Sequence, residues 1–398
     1  MHHFMSNSPW SGSLLISKVQ EEIGCQDEFQ SGSMLLLDES ADDKSGQHSV
    51  GVGRQHNGRR GKVDNCQVGV FLSYVNNGYQ TWVDGEVYIP ESWFTEAAAS
   101  KRERAGIPPE RGFQTKPELG WQMIQRVYQR GLPFVAVAFD TLYGRSPWLR
   151  DQVAAAGLEY YADTPANTIV YLEAPVIGIP QNKYGPKAKA QQVLSPQAVR
   201  VDQLRHEPDT LWHTITLRPN ERGYLKADFA RRRVWTVRDH GTVVAEWLLI
   251  RRDGRKHTYT FSNASLDTPL LTMAQRKSQR YFIERSNQDA KSELGWDEFQ
   301  ATKFLAWQHQ LAMTILASWF ITSTRLDWAQ RFEQDPDLLA EYEVELLPAL
   351  SMANVRSMLL AAMPLPQLSP QEAVYLVVKH LDNRTRSRKS RLRSGSSP

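Results

Sequence analysis

Cysteine is almost absent from this chain, with two residues, Cys25 and Cys66, in 398. A disulfide framework and a thiolate metal cage are both excluded, since neither cysteine has a partner at metal-ligand spacing. Long apolar runs are missing too. The longest, Leu311 to Ile321 (LAMTILASWFI), falls short of the roughly 20 residues that a bilayer span needs, and reads as a buried helix. There is no phosphate-loop motif, and no Ser/His/Asp arrangement stands out, so nucleotide-binding and triad-hydrolase chemistry have no support. Nothing at the N-terminus reads as a secretion signal, and a reduced cytoplasmic setting is expected. Charge of one sign is also scarce: the formal net charge is +3, yet Arg384 to Arg393 alone brings six cations and no anion. The remainder sets 41 Lys and Arg against 44 Asp and Glu, so any surface for nucleic acid has to be local.

What is present is a globular composition, 41% hydrophobic and 10% aromatic, over a length that suits two domains or one domain with a large insertion. Residues 1 to 30 open with Ser-Pro-Trp and an amphipathic helical segment; the adjacent His2 and His3 suit a metal site or an ordinary chain start. Met34 to Leu37 then forms a short buried strand that delivers Asp38 at or near its end, before a polar loop from Ser40 to Gly46. Asp38 suits an active site built on a rigid element, and equally a turn cap. Arg54, Arg59, Arg60 and Lys62 follow among glycines, in a loop that suits either an anion or plain solvent. Cys66 to Tyr74 and Gln80 to Ile89 read as an antiparallel ribbon turned at Asn77-Gly78.

Lys116 to Arg130 is expected as a helix that opens with Pro-Glu and stops at Gly131. A second buried strand, Phe134 to Phe139, runs directly into Asp140, with Tyr143-Gly144-Arg145 just beyond. Helix Pro147 to Ala156 and strand Leu158 to Ala162 come next. A helix-linked strand can lie parallel beside the first, which would bring Asp38 and Asp140 side by side. From Trp212 to Phe261 the pattern changes to a β-meander with turns at His240-Gly241 and Asp253-Gly254. Arginines gather at its corners, Arg231 to Arg233 and Arg251, Arg252, Arg255 with Lys256. This segment is expected to be an inserted β-subdomain whose basic edges either bind phosphate or guard an edge strand against aggregation. A helix carrying Glu284, a long helical region from Trp296 through Thr322, short helical patterns from Glu341 to Leu381 and a low-complexity basic tail complete the chain.

The stretch KSQRYFIERSNQDAKSELGW, residues 277 to 296, sets Glu284 between Arg280 and Lys291. On one helix, spacings of four and seven place all three on one stripe. A carboxylate between two cations suits a metal ligand whose substrate is a polyanion; it also suits a surface ion pair worth about 0.3–0.5 kcal/mol. Three carboxylates thus stand out, Asp38, Asp140 and Glu284. Hard oxygen ligands of this kind suit Mg²⁺ or Mn²⁺, and two such ions roughly 3.5–4 Å apart can serve phosphodiester cleavage.

Here the chain resembles a known family, the DDE transposases of bacterial insertion sequences. LLLDESADDKSGQHSVGVGRQHNGRRGKVDNCQVGVFLSY is similar to that family's first-aspartate block, FVAVAFDTLYGRS to its second, and RYFIERSNQDAKSELG to its glutamate helix. That helix follows Tyr-x2-Arg-x3-Glu-x6-Lys; Arg280, Glu284 and Lys291 match, while the Tyr position holds Lys277. The resemblance covers roughly residues 1 to 380. It implies an α/β fold with a ribonuclease-H-like catalytic core, a mixed sheet flanked by helices, interrupted by a β-rich insertion and followed by a helical C-terminal region. The implied divisions are an N-terminal helical remnant to residue 30, the first part of the core to 165, the insertion to 275, the rest of the core to 325, C-terminal helices to 382 and a disordered basic tail. Members usually carry a helical region ahead of the equivalent of MHHFMSNSPW, and this chain is expected to lack most of it.

The resemblance further implies that Asp38, Asp140 and Glu284 hold two Mg²⁺, with Mn²⁺ substituting, for cleavage at transposon ends. The freed 3′-hydroxyl would then attack target DNA. Arg280 and Lys291 would lie against the backbone of the ends, joined by Arg59, Arg60, Lys62, Arg145, Arg251 and Arg252. Double-stranded DNA is the implied partner, bound by a homodimer in a cytoplasmic, nucleoid-associated setting, with no membrane and no small-molecule cofactor. Two other readings compete: an inactive or domesticated relative that binds DNA without transposition, and a structural α/β protein in which the three carboxylates are unrelated. The last requires that Asp38, Asp140 and Glu284 lie apart in the fold.

Overall fold

The computed structural model describes residues 2–58, 60–180, 191–220, 223–239, 241–345, 347 and 349–363, then 369–372, 374–375, 377–379, 381–382 and 385–386. In chain order the helices are α1 (His2–Ser6), α2 (Gly12–Gly24), α3 (Ala99–Ala105), α4 (Lys116–Gln129), α5 (Thr141–Gly144), α6 (Pro147–Ala155), α7 (Leu270–Ser278), α8 (Tyr281–Ser292), α9 (Phe304–Arg331), α10 (Pro336–Glu341) and α11 (Met352–Ala362). The strands are β1 (Met34–Asp43), β2 (Gly53–Asn57), β3 (Lys62–Asn76), β4 (Tyr79–Tyr88), β5 (Ala136–Phe139), β6 (Glu159–Thr164), β7 (Ile169–Val170), β8 (Val176–Gly178), β9 (Gln192–Ser195), β10 (Val199–Arg200), β11 (His213–Asn220), β12 (Gly223–Val237), β13 (Val243–Asp253) and β14 (Lys256–Ser262). One mixed sheet of ten strands runs β11-β12-β13-β14-β6-β5-β1-β3-β2, with β4 also on β3. Residues 1–349 form one compact unit and residues 350–398 another.

β1 is apolar at consecutive positions because both of its faces are covered. Leu35 and Leu37 join the larger core with Val137 and Phe139 of β5, under α4 and α9. Met34 and Leu36 face the opposite way, with Ala136 and Ala138, against Met273 of α7 and Phe282 and Ile283 of α8. β1 and β5 are parallel, with Leu37 opposite Phe139, and the residue that follows each of these along the chain is an aspartate. By the alternation of a strand, Asp38 continues the row of Met34 and Leu36, and Asp140 that of Ala136 and Ala138. Both carboxylates therefore point to the side of the sheet that α7 and α8 cover.

Asp38 is not at the end of its strand, as the four-residue apolar run suggested. β1 continues to Asp43 because its other neighbour, β3, pairs with it from Met34↔Val75 to Asp43↔Cys66. Ser40 to Asp43 are thus strand, not loop. The glycine-rich basic loop is likewise partly sheet: β2 pairs with β3 from Gly53↔Cys66 to Asn57↔Lys62, so Arg54 and Lys62 are strand residues. The β3–β4 turn matches its sequence signal. Asn77 and Gly78 have φ of 46° and 87°, the two left-handed positions that a two-residue hairpin turn demands.

α4 begins where the sequence says it should, with Thr115 and Glu118 forming a reciprocal capping box ahead of the helix and Pro117 in its first turn. The β-meander is a different matter. β14 pairs antiparallel with β6 from Ser262↔Tyr161 to Tyr259↔Thr164, so the meander prolongs the central sheet. Its Val234, Leu248 and Phe261 belong to the same core as Leu35 and Leu37. A separate subdomain is therefore not formed; the open edge of β6 is satisfied by the next strand of the same sheet.

The glutamate helix also differs from expectation. α7 ends at Ser278 and α8 starts at Tyr281, with Gln279 and Arg280 in a turn where Phe282 N–H bonds the carbonyl of Gln279. The long helix begins at Phe304 rather than Trp296 and extends to Arg331. Trp296 instead packs edge-on to Phe71, Trp82 and Trp307, in an aromatic cluster where Phe71 and Trp82 stack at 4.1 Å. Among the described residues no helix is long and apolar enough to cross a membrane. In the second unit, α11 is capped by Ser351 and Asn354 in the same reciprocal fashion as α4. The basic tail beyond Arg386 lies outside the described residues.

Candidate active site

Asp38 comes from β1, and its Oδ1 accepts the backbone N–H of Glu39 at 2.8 Å. Its carboxyl is pushed up to about 7, first by burial and then by the charge of Asp140, with Arg280 pulling the other way. Asp140 caps α5: Oδ1 accepts from Leu142 N–H at 2.9 Å and Tyr143 N–H at 3.3 Å. Burial raises its pKa as well, against those two hydrogen bonds and Arg280. The short helix that Asp140 caps lies hard against β6. A side chain at Gly144 would place its Cβ 1.9 Å from the carbonyl oxygen of Asp163, so only glycine allows the approach.

Glu284 stands on α8 with its side chain 57% exposed, and Arg280 links it to the aspartates. The guanidinium of Arg280 reaches Glu284 Oε1 at 2.6 Å through Nη2, Asp163 Oδ2 at 3.2 Å through Nε and Asp38 Oδ2 at 3.7 Å through Nη1. Burial alone would lower the pKa of Arg280, but Asp163, Asp38, Glu284 and Asp140 outweigh it and the net shift is upward. Asp163 is itself held by Thr260 Oγ1 at 2.6 Å and by Lys277 Nζ at 2.5 Å. Burial pulls Lys277 down despite that partner. Asp38 lies within β1 and Asp140 directly follows its parallel neighbour β5, and Asp38 and Glu284 share one guanidinium.

Among the described residues, no three His, Cys, Asp or Glu side chains are grouped so as to hold a metal ion as they stand. The positive charge shared by Asp38 and Glu284 is that of Arg280. A charged cleft opens beside it, bounded by Glu284 and Arg280 on one side and by Arg251, Asp253 and Lys256 of the meander on the other. A second cleft has Leu142, Trp148 and Lys116 on its walls; Lys116 pairs with Glu39 at 2.7 Å.

The remaining basic candidates fall in different settings. Lys291 bonds the Ala41 carbonyl and Asp42 Oδ1, both at 2.8 Å, and ties α8 to β1. Arg251 pairs with Asp253 at 2.9 Å at the rim of the charged cleft. Arg252 pairs with Asp228 at 2.9 Å and lies 4.4 Å over the ring of Trp212. Arg145 is exposed. Arg60 is held by Asp43 at 2.7 Å and Asp64 at 3.1 Å, and Lys62 lies 3.6 Å from Asp64, at the tip of the β2–β3 hairpin. That tip adjoins the far end of β1, roughly 17 Å along the strand from Asp38 at about 3.3 Å per residue. Arg59 lies outside the described residues.

Sequence reasoning passed over Asp163 and Tyr143. Asp163 carries the same signal as Asp38 and Asp140, a buried strand running into an aspartate. Tyr143 is fully buried, and its hydroxyl has no hydrogen-bond partner among the described residues. Burial raises its pKa strongly, and the charges of Glu39, Asp38 and Asp140 add to the rise.

Residues 1–224 match the family profile described as DDE superfamily endonuclease. A probable transposase for insertion sequence element IS701 from Microchaete diplosiphon is 32% identical over 146 residues, which are 37% of this chain and 35% of that protein. The chain thus spans about a third of the length of that curated relative. Asp38 and Asp140 fall inside the stretch matched by the profile, and Glu284 lies beyond it.

Proposed function

Given that the chain belongs to the DDE superfamily of endonucleases, we propose that it is an insertion-sequence transposase that cleaves DNA at transposon ends and joins them to target DNA. The observation that supports this reading is that Asp38 and Asp140 follow the last paired residues, Leu37 and Phe139, of the parallel neighbours β1 and β5, with Glu284 linked to Asp38 through Arg280. On this reading, β1 and β3 to β6 with their helices are a ribonuclease-H-like core, and the strands between β6 and α7 are the insertion.

The donor set fits divalent ions. Three carboxylates are hard oxygen ligands, and the upward shift of Asp38, caused first by burial and then by the charge of Asp140, is one that a cation there would oppose. Asp38, Asp140 and Glu284 would hold two Mg²⁺ or Mn²⁺ ions. When bound, such ions supply Lewis acidity at a phosphate and lower the pKa of a water. The chain's own part is to fix the carboxylates and to hold DNA. α5 and its backbone N–H groups orient Asp140, and the β1–β3 ladder orients Asp38. Arg251 and Lys256 of the charged cleft, with Arg280 and Arg145, would take DNA phosphates, and Lys291 would hold α8 in place. Arg252, Arg59, Arg60 and Lys62 would extend the contact along the duplex. Two ends call for two such sites, hence a homodimer on DNA.

The test pairs binding with cleavage. Asp38→Ala and Asp140→Ala should each abolish nicking of end-bearing duplex DNA while retaining its binding in a mobility shift. Loss of binding together with cleavage would assign these side chains to the fold and overturn the reading.

A further inference from the structure

We propose that Arg280 is a built-in counter-ion that a divalent cation must displace, and that Asp163 is the positioning residue that seats it. The inference rests on the catalytic reading above. One guanidinium contacts carboxylates from three separate elements, Asp38 of β1, Asp163 of β6 and Glu284 of α8. Its planar fork of five donors suits that bridging in a way a lysine would not. Two of those three carboxylates are the ones assigned to metal ions, so cation and guanidinium compete for the same oxygens.

The seat is specific. Arg280 lies in the turn between α7 and α8, so its side chain enters from the helix break. Asp163 is fixed independently by Thr260 and Lys277, and it holds Arg280 through Nε, leaving the two Nη groups on Asp38 and Glu284. Displacement of the Nη groups would leave the arginine tethered at Asp163, beside the charged cleft, where a DNA phosphate can replace the carboxylates as its partner. Metal and DNA would therefore bind cooperatively, and by linkage each would tighten the other by the same factor.

Mn²⁺ binding to the full chain, followed by electron paramagnetic resonance, reads this without relying on turnover. Arg280→Gln should bind Mn²⁺ on the order of tenfold more tightly than wild type without DNA, as loss of a neighbouring positive charge predicts after solvent screening. End-bearing DNA should tighten Mn²⁺ binding to wild type and leave Arg280→Gln unchanged. Arg280→Lys keeps the charge near Asp163 but cannot bridge Asp38 and Glu284. It should tighten binding by a smaller factor, and it carries the test if Arg280→Gln does not fold. Equal or weaker Mn²⁺ binding in the folded variants would overturn the counter-ion role. Asp38→Asn separates the two claims: Mn²⁺ binding that is the same in Asp38→Asn and wild type would instead sink the catalytic reading.

Discussion

At the scale of single residues, Asp38 ties charge to stability. Its pKa of about 7 in the folded chain lies above the ordinary 3.8, so between those values the folded state keeps a proton that the unfolded state has released. The stability this contributes is fully present below about pH 4 and is lost as pH rises through 7. Asp38→Asn does not titrate. Measured by urea unfolding in the presence of a chelator, its stability relative to wild type should rise by roughly 2–4 kcal/mol between pH 4 and pH 8. A pH-independent difference would show that burial and the charge of Asp140 do not raise the pKa of Asp38. The aspartates themselves were legible because each follows a run of buried strand residues. Asp163 obeys the same rule, following Ala162 of a buried strand, and lies within β6, which runs on to Thr164. The pairing of Arg280 with Glu284 is legible from their spacing of four, but its bridge to Asp38 and Asp163 is not: those two are distant in sequence, and only the pairing of β6, β5 and β1 brings them together.

At the scale of elements, α5 is the piece that orients Asp140, and its position depends on Gly144. A methyl group there meets the Asp163 carbonyl, so Gly144→Ala must push α5 away from β6 or distort the strand. A loss of about 2–4 kcal/mol in stability is expected, together with a fall in cleavage. Stability within error of wild type would mean that α5 and β6 are not so closely packed. Helix starts and hairpin turns were readable wherever local chemistry fixes them, as at Thr115-x-x-Glu118 and Asn77-Gly78. The break at Gln279 and Arg280 was not, because no proline or glycine marks it. Tertiary contacts decide there, with Phe282 and Ile283 drawn to one face of the sheet while Arg280 is held by Asp163.

At the scale of the whole molecule, the meander is the main departure from what the sequence suggests. Alternating strands with basic corners look like a self-contained unit, since the pattern of each strand says nothing about which edge it joins. Because β14 completes β6 and Phe261 is fully buried in the common core, the two regions should unfold together. Phe261→Ala should cost about 3–5 kcal/mol and shift one shared transition, reported alike by Trp82 and Trp307 in the core and by Trp235 and Trp247 in the meander. Two separated transitions would restore an independent subdomain.

The most direct test of the whole account is metal-dependent cleavage of duplex DNA carrying the element's own ends, with Mg²⁺ or Mn²⁺, by wild type and by Glu284→Ala. Glu284 is the decisive residue, because it lies beyond the stretch matched by the family profile and is joined to the aspartates only by the fold. The account predicts cleavage by wild type that disappears on chelation and is lost in Glu284→Ala, with DNA binding retained in both. Full cleavage by Glu284→Ala, or DNA binding without cleavage by wild type, would contradict it.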